Sequence, residues 1–172
     1  MRDDKLALRN TVRFYLVALG VVIIDQITKI IARNSLQSDQ PVPVIPGFFD
    51  LRLGYNSGAA FGVLPDWTPL FIIVAMVAIY AIVKLRKAAP DSGSLSIGLG
   101  MLLGGAAGNL LDRLMSPNKE VTDFLSLHVT LQGKTHFWPT FNLADVAIIA
   151  GAIIVLFYVY IVEKRRAEAD AS

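Results

Sequence analysis

The sequence of 172 residues contains no cysteine, and only 17% of its residues are charged. Without cysteine, a disulfide framework, a thiolate metal site and a cysteine nucleophile are all excluded. The net charge of +2 is too small to indicate a nucleic-acid-binding protein. Hydrophobic residues make up 54% of the chain, which is more than in ordinary soluble domains. Composition and size therefore predict a single membrane domain comprising residues 1–172.

Charge is also missing from long stretches of the chain. Val146–Val162 contains no charged residue, and a helix of this length spans roughly 25 Å, close to the hydrocarbon thickness of a bilayer. Four transmembrane helices are predicted, at about residues 13–32, 67–83, 95–112 and 143–162. The first is interpreted as an uncleaved anchor, because its apolar core continues past Asp25 and no clear small-residue cleavage site follows.

Basic residues are concentrated at the N-terminus, in the loop after the second span and in the C-terminal tail. They are Arg2, Lys5, Arg9, Arg13, Lys84, Arg86, Lys87, Lys164, Arg165 and Arg166. Because basic loops stay on the cytoplasmic side, both termini and the middle loop are predicted to be cytoplasmic. The segments at residues 33–66 and 113–141 then lie on the outer side.

Two parts of these outer segments alternate between apolar and polar residues. One runs from Phe49 to Tyr55, and the other from Leu127 to Leu131, ending at a Gln132-Gly133 turn. A period of two is typical of β-strands. The predicted fold is therefore an all-α integral membrane protein, a four-helix bundle with a small β-sheet on its outer face.

Several polar side chains are predicted at one depth in the bundle. Counting residues along the helices places Asp25, Asn109, Asp112 and Asp145 in the outer part of the bilayer, whereas the inner half is almost purely apolar. Ionisable groups inside a membrane usually mark a functional site. This distribution favours one site near the outer face. The alternatives are a small proton-coupled transporter and a membrane scaffold whose polar groups only pack helices.

Asp145 stands at the mouth of the last hydrophobic segment and has two interpretations. Asn142 is a good N-cap, so Asp145 would be the third helical residue, where an acid complements the helix dipole and forms a variant of the capping box. A second acid, Asp123, ends the approach to the same segment. Two carboxyl groups that share a site can do hydrolytic chemistry, and this pairing is the leading functional prediction.

The remaining charged groups have structural interpretations. Asp25 and Lys29 are spaced as a helical ion pair, with Lys29 extending outward toward the interface. Arg113 either extends outward as well or neutralises Asp112.

Glycine and histidine also have structural interpretations. Gly100, Gly104 and Gly108 repeat at the spacing of close helix packing. His128 and His136 are expected to be surface groups, and no metal site is predicted.

Five motifs occur in order along the chain. They are Asp25-Gln26-Ile27-Thr28-Lys29, Asn56-Ser57-Gly58-Ala59-Ala60-Phe61, Gly104-Gly105-Ala106-Ala107-Gly108-Asn109-Leu110-Leu111-Asp112-Arg113, Val121-Thr122-Asp123-Phe124 and Phe141-Asn142-Leu143-Ala144-Asp145. Together they resemble lipoprotein signal peptidase, the bacterial signal peptidase II. The resemblance covers the chain from about Asp25 to Ile149. Each motif alone is weak, but five in this order with matching topology are highly specific.

The resemblance implies an aspartic endopeptidase of the bacterial inner membrane. Such an enzyme removes the signal peptide from diacylglyceryl-modified prolipoproteins, cutting just before the lipidated cysteine. The catalytic dyad of the family corresponds to Asp123 and Asp145. The residues that would support the dyad or bind substrate are Asp25, Lys29, Asn56, Gly58, Asn109, Asp112, Arg113 and Asn142. Prolipoproteins and membrane lipids are the expected partners, no cofactor or nucleic acid is expected, and the chain is expected to be a monomer.

Two carboxyl groups at one site cannot both ionise cheaply, so one is predicted to hold a proton while the other activates water. The residues leave the assignment open, although the helix dipole favours Asp145 as the anion. Two outer stretches depart from the family pattern. The link from Leu114 to Glu120 and the stretch from Ser126 to Phe137 both look long, which bears on the outer loops but not on the dyad.

Overall fold

The computed structural model describes residues 2–58, 67–88 and 92–170. Within them the helices and strands follow one another along the chain. They are α1 (Arg2–Ser35), β1 (Val42–Ile45), β2 (Phe49–Asn56), α2 (Thr68–Ala88), α3 (Gly93–Met115), β3 (Val121–Leu131), β4 (Lys134–Phe137) and α4 (Leu143–Asp170). Residues 59–61, which complete the second motif, lie outside the described residues.

All four helices are long and apolar enough to cross a membrane. This confirms the predicted fold class, a multi-pass membrane protein with a small sheet. The helices extend beyond the apolar stretches at residues 13–32 and 143–162, because hydropathy marks only the lipid-facing length and not the polar turns that continue it. Many of their large apolar side chains are exposed, among them Ile31, Ile149 and Leu156, as expected for surfaces that contact lipid.

Helix α3 lies at the centre of the bundle and packs against the other three helices. Its glycines allow this, because they bring helix backbones close together. A methyl group added at Gly104 would lie 2.6 Å from the carbonyl oxygen of Ala18 on α1, and one at Gly105 would overlap the carbonyl oxygen of Ala144 on α4. The predicted close packing of the α3 glycines is confirmed, and it serves two neighbouring helices.

The strands form one antiparallel sheet in the order β1-β2-β3-β4. The predicted strand from Phe49 to Tyr55 and the hairpin at Gln132 and Gly133 are confirmed, and both turn residues have the positive φ that such a turn requires. The first part of β3 was not predicted as strand, because residues from Val121 to Phe124 are all buried and therefore show no alternation. The short strands β1 and β4 are exposed throughout and were also missed.

The segment between β4 and α4 runs along β3 and positions the functional residues. The carbonyl oxygen of Phe141 accepts hydrogen bonds from the backbone N–H groups of Phe124 and Leu125, at 3.0 and 2.9 Å, and the N–H of Phe141 donates to Leu125. This pairing fixes the start of α4 beside β3. Asp123 on the strand and Asp145 in the first turn of the helix are thereby brought to the same place.

Candidate active site

Asp123 is almost fully buried in β3, where it pairs with Gly54 of β2. Its carboxylate accepts hydrogen bonds from the side-chain amides of Asn142, at 2.7 Å, and Asn56, at 3.3 Å. Burial raises the pKa of Asp123 to about 7, and the negative charge of Asp145 adds to this effect, while the two amides and Lys29 oppose it. The carboxyl group of Asp123 is therefore the one suited to hold a proton near neutral pH.

Asp145 is only partly buried, and it lies in the first turn of α4. Its backbone N–H donates to the Asn142 side chain at 3.0 Å, and the backbone N–H of Asn142 donates to the Asp145 carboxylate at 3.1 Å. The predicted capping box is confirmed. The other carboxylate oxygen accepts a 2.7 Å hydrogen bond from the side chain of Asn109, so both oxygens of Asp145 are held by N–H donors.

Asn142 connects the two acids. Its side-chain NH2 group binds Asp123, while its backbone N–H binds Asp145. The same NH2 group donates to the side-chain oxygen of Asn109 at 3.1 Å, and the NH2 group of Asn109 donates in turn to Asp145. The structure therefore brings Asp123, Asp145, Asn109 and Asn142 into one hydrogen-bonded network at the junction of α3, α4 and the sheet.

Lys29 lies behind this network and does not extend outward, so that prediction was wrong. Its side chain is fully buried, and the ammonium group lies 2.9 Å from Asp25, 3.2 Å from Asp112 and 3.0 Å from the side-chain oxygen of Asn109. The predicted Asp25–Lys29 pair is confirmed. A buried ammonium is stable only with such partners, and three acceptors on α1 and α3 direct it inward.

Arg113 does not extend outward, and Asp112 is one of several acids near its charge. Its guanidinium donates to the carbonyl oxygens of Asn109 and Gly58, both at 3.4 Å, and lies over the ring of Phe71, 5.4 Å from its centre. The guanidinium lines the same cleft as Asp145, so its positive charge lies on the side of the two acids.

Asn56 and Gly58 complete the outer wall of the site. The Asn56 side chain donates to Asp123 and accepts the N–H of Gly58 at 3.0 Å. Both residues line a cleft of about 300 Å³ that contains Asp145 and is open to the surface. Its walls are formed by Asn56, Gly58, Phe71, Arg113, Trp138, Pro139, Thr140, Phe141 and Asp145. The partly exposed acid is therefore reached from the surface through this cleft.

The two histidines lie on the outer sheet, away from this cleft. His136 is exposed as predicted, but His128 is largely buried, and its ring nitrogen lies 3.3 Å from the carboxylate of Asp50. Among the described residues, no group of three or more histidine, aspartate or glutamate side chains is placed to hold a metal ion.

The family model described as signal peptidase (SPase) II matches residues 17–161, which is most of the chain. The chain belongs to the signal peptidase II family. It is therefore a peptidase of the aspartic class, and the comparisons give no support to a transporter.

Relatives named lipoprotein signal peptidase match over most of their own length. The protein from Moorella thermoacetica is 43% identical over 83% of this chain and 89% of its own, and that from Geobacter metallireducens is 37% identical over 90% and 94%. A solved structure described as a bacterial membrane enzyme is 30% identical, covers 86% of this chain and 87% of its own, and has a TM-score of 0.75.

Some residues of the candidate site were not predicted. The Gln26 side chain donates to Asp25 and Asp112, each at 3.1 Å, and Phe71 and Trp138 line the cleft. Gln26 lies inside the first motif, next to Asp25. This position in the motif was the signal that could have identified it. Nothing in the sequence distinguishes Phe71 or Trp138 from other aromatic residues near the membrane surface.

Proposed function

We propose that this chain removes the signal peptide from prolipoproteins whose cysteine carries diacylglycerol, cutting the bond just before that cysteine. The observation that carries the proposal is the pair of acids, Asp123 and Asp145, bridged by Asn142 beside an open cleft. Membership of the signal peptidase II family and the names of the relatives support the substrate class.

Asp145 acts as the general base and Asp123 as the acid in the proposed reaction. Asp145, which lines the cleft, takes a proton from water as the water attacks the scissile carbonyl carbon. Asp123, which is buried and has a raised pKa, gives its proton to the carbonyl oxygen. As the tetrahedral intermediate collapses, one of its hydroxyl groups returns a proton to Asp123, the C–N bond breaks, and the proton held by Asp145 goes to the leaving amine.

Neighbouring groups support this chemistry from fixed positions. Asn109 and Asn142 hold the dyad, and the guanidinium of Arg113 lines the cleft with a positive charge that favours the developing oxyanion. Asn56 and Gly58 lie where the substrate backbone would pass through the cleft. No metal enters the proposed reaction, so chelators are expected to leave cleavage intact.

The lipidated cysteine explains the position of the site. The acyl chains of the substrate remain in the bilayer, so the bond to be cut lies near the outer surface. The charge distribution supports both termini in the cytoplasm and the dyad on the periplasmic side of the inner membrane. The chain is proposed to act as a monomer, with membrane lipids around the bundle.

The proposal is tested with purified protein in lipid nanodiscs and one prolipoprotein prepared with and without the diacylglyceryl group. Mass spectrometry should find cleavage immediately before the cysteine of the lipidated form and little cleavage of the other form. Equal cleavage of both forms, or cleavage at another bond, would contradict the substrate assignment. Loss of activity with a chelator and its recovery with zinc would indicate a metallopeptidase instead.

A further inference from the structure

A cluster of three buried charges lies behind the two acids, and we call Asp25, Lys29 and Asp112 the Lys29 hub. All three side chains are nearly inaccessible to solvent. The ammonium of Lys29 is within ion-pair distance of both carboxylates, at 2.9 Å from Asp25 and 3.2 Å from Asp112. An apolar cluster of similar volume is often at least as stable as a buried ion cluster, so helix packing alone does not explain these charges.

Each hub carboxylate binds the backbone one residue before a member of the proposed dyad. The Asp112 carboxylate accepts the N–H of Thr122 at 2.9 Å, and Thr122 precedes Asp123. The Asp25 carboxylate accepts the N–H of Ala144 at 3.0 Å, and Ala144 precedes Asp145. The two carboxylates belong to different helices, and their hydrogen bonds reach different elements, β3 and α4. Both carboxylates nevertheless pair with the same ammonium group.

A third contact runs from Lys29 through Asn109. The ammonium donates to the Asn109 side-chain oxygen at 3.0 Å. That oxygen also accepts from Asn142. With its oxygen occupied by two donors, the amide of Asn109 must present its NH2 group to Asp145, where the distance is 2.7 Å. Lys29 therefore fixes the orientation of a group that directly contacts the base.

The packing of α3 on α1 is adapted to this arrangement. A methyl group added at Gly108 would lie 2.6 Å from the Asp25 carboxylate, so only glycine leaves room for that carboxylate to reach Ala144. Gln26 donates to both Asp25 and Asp112, which holds the two carboxylates toward the same side.

We propose that Lys29 is a positioning residue: through Asp25 and Asp112 it holds the segments that carry Asp145 and Asp123 at the separation that proton transfer requires. This inference rests on the proposed function, because it presupposes that the two acids are the dyad. Loss of Lys29 should therefore slow the chemical step, since small displacements of reacting groups cost up to about 100-fold in rate. Substrate binding depends on the cleft walls, which the hub does not form.

The test compares Lys29→Met, Asp112→Asn and the triple variant Asp25→Asn/Lys29→Met/Asp112→Asn, all in nanodiscs with lipidated prolipoprotein. Lys29→Met should lower kcat by about 100-fold and leave KM within about threefold. Because Lys29→Met leaves two unpaired buried carboxylates, its Tm should also fall. The triple variant removes those charges and should recover most of the Tm while kcat stays low. Asp112→Asn keeps an acceptor for Thr122, so it should fold and lose part of kcat.

Lys84→Met is the matched control, since Lys84 is an exposed lysine at the far end of α2. It should leave kcat, KM and Tm unchanged. Recovery of kcat together with Tm in the triple variant, unchanged kcat in Lys29→Met, or a loss confined to KM would each overturn the positioning role. Failure of the wild type itself to cleave the lipidated substrate would overturn the proposed function, so the two failures are distinguishable.

Discussion

Asn142 both begins helix α4 and binds the two acids of the proposed dyad. As the N-cap of α4 it begins the helix, and with the same side chain it holds Asp123 at 2.7 Å. The capping and catalytic interpretations of Asp145 are therefore compatible, because the cap is what presents the acid. The sequence predicted the cap, since the Asn-x-x-Asp spacing is local and needs no tertiary information. The catalytic prediction came instead from the second acid, Asp123, and from the family resemblance.

The raised pKa of Asp123 leads to a prediction about pH. The proposed reaction requires Asp123 to be protonated in the free enzyme, so kcat/KM should fall as the pH rises through about 7. Asn56 donates a hydrogen bond that lowers this pKa, so Asn56→Ala should move the alkaline limb of the profile to higher pH. Rates of the wild type and variant measured from pH 5 to 9 check this. A flat wild-type profile across this range would contradict it.

The same pKa shift sets the sign of an effect on stability. Because the pKa is raised from 3.8 to about 7 by folding, the charged carboxylate destabilises the fold. The protonated form of Asp123 therefore stabilises the fold relative to the charged form. This stabilisation is fully present below pH 3.8 and is lost as the pH rises through about 7. Asp123→Asn should therefore raise the Tm relative to the wild type at pH 8 but not at pH 4, as thermal unfolding in detergent would measure.

At the scale of elements, helices were more predictable than strands. Each of the four apolar runs is longer than any strand. Such a run is recognised by its hydropathy without any periodic pattern, so the existence of the four helices was evident from composition alone. The alternation in β2 was visible because one face is buried and one is not. The buried start of β3 has no such signal, although it carries Asp123, so the strand that positions one acid could only be found in three dimensions.

The close contact between α3 and the first turn of α4 predicts that a larger residue at Gly105 will disturb this turn. In Gly105→Ala, the added methyl group would overlap the carbonyl oxygen of Ala144 and lie 2.7 Å from the side chain of Ile148. Displacing this turn moves Asp145, so both Tm and kcat should fall clearly. Gly20→Ala on α1 is the matched control, because nothing lies within 4 Å of its added methyl group. Equal behaviour of the two variants would show that α3 and α4 do not pack this closely.

At the scale of the whole molecule, buried polar groups lie at both ends of the bundle. Asn10, Arg86 and Ser96 are buried at one end and the dyad lies at the other. Phe14, Ile82, Leu95 and Leu99 form a buried apolar cluster on the same three helices as the first group. A buried apolar cluster does not relay ions, which agrees with a peptidase rather than a transporter. Counting depth along each helix predicted which polar groups share an end, but not their hydrogen bonds, because those depend on helix rotation and on β3.

The proposed topology can be tested by labelling, since the chain has no cysteine of its own. Lys134 on the outer hairpin and Lys87 at the end of α2 are both exposed. In cells with a permeable outer membrane, Lys134→Cys should react with a membrane-impermeant maleimide. Lys87→Cys should react only after the inner membrane is opened. The reverse pattern would place the dyad on the cytoplasmic side.

The central claim is that Asp123 and Asp145 act together as one catalytic dyad. The most direct measurement is the rate of cleavage of a lipidated prolipoprotein by Asp123→Asn and Asp145→Asn, with Asp39→Asn, an exposed acid outside the cleft, as the control. Each dyad variant should insert and bind substrate but lose kcat by about 1000-fold or more, while the control keeps the wild-type rate. Near-normal cleavage by either dyad variant would contradict the account.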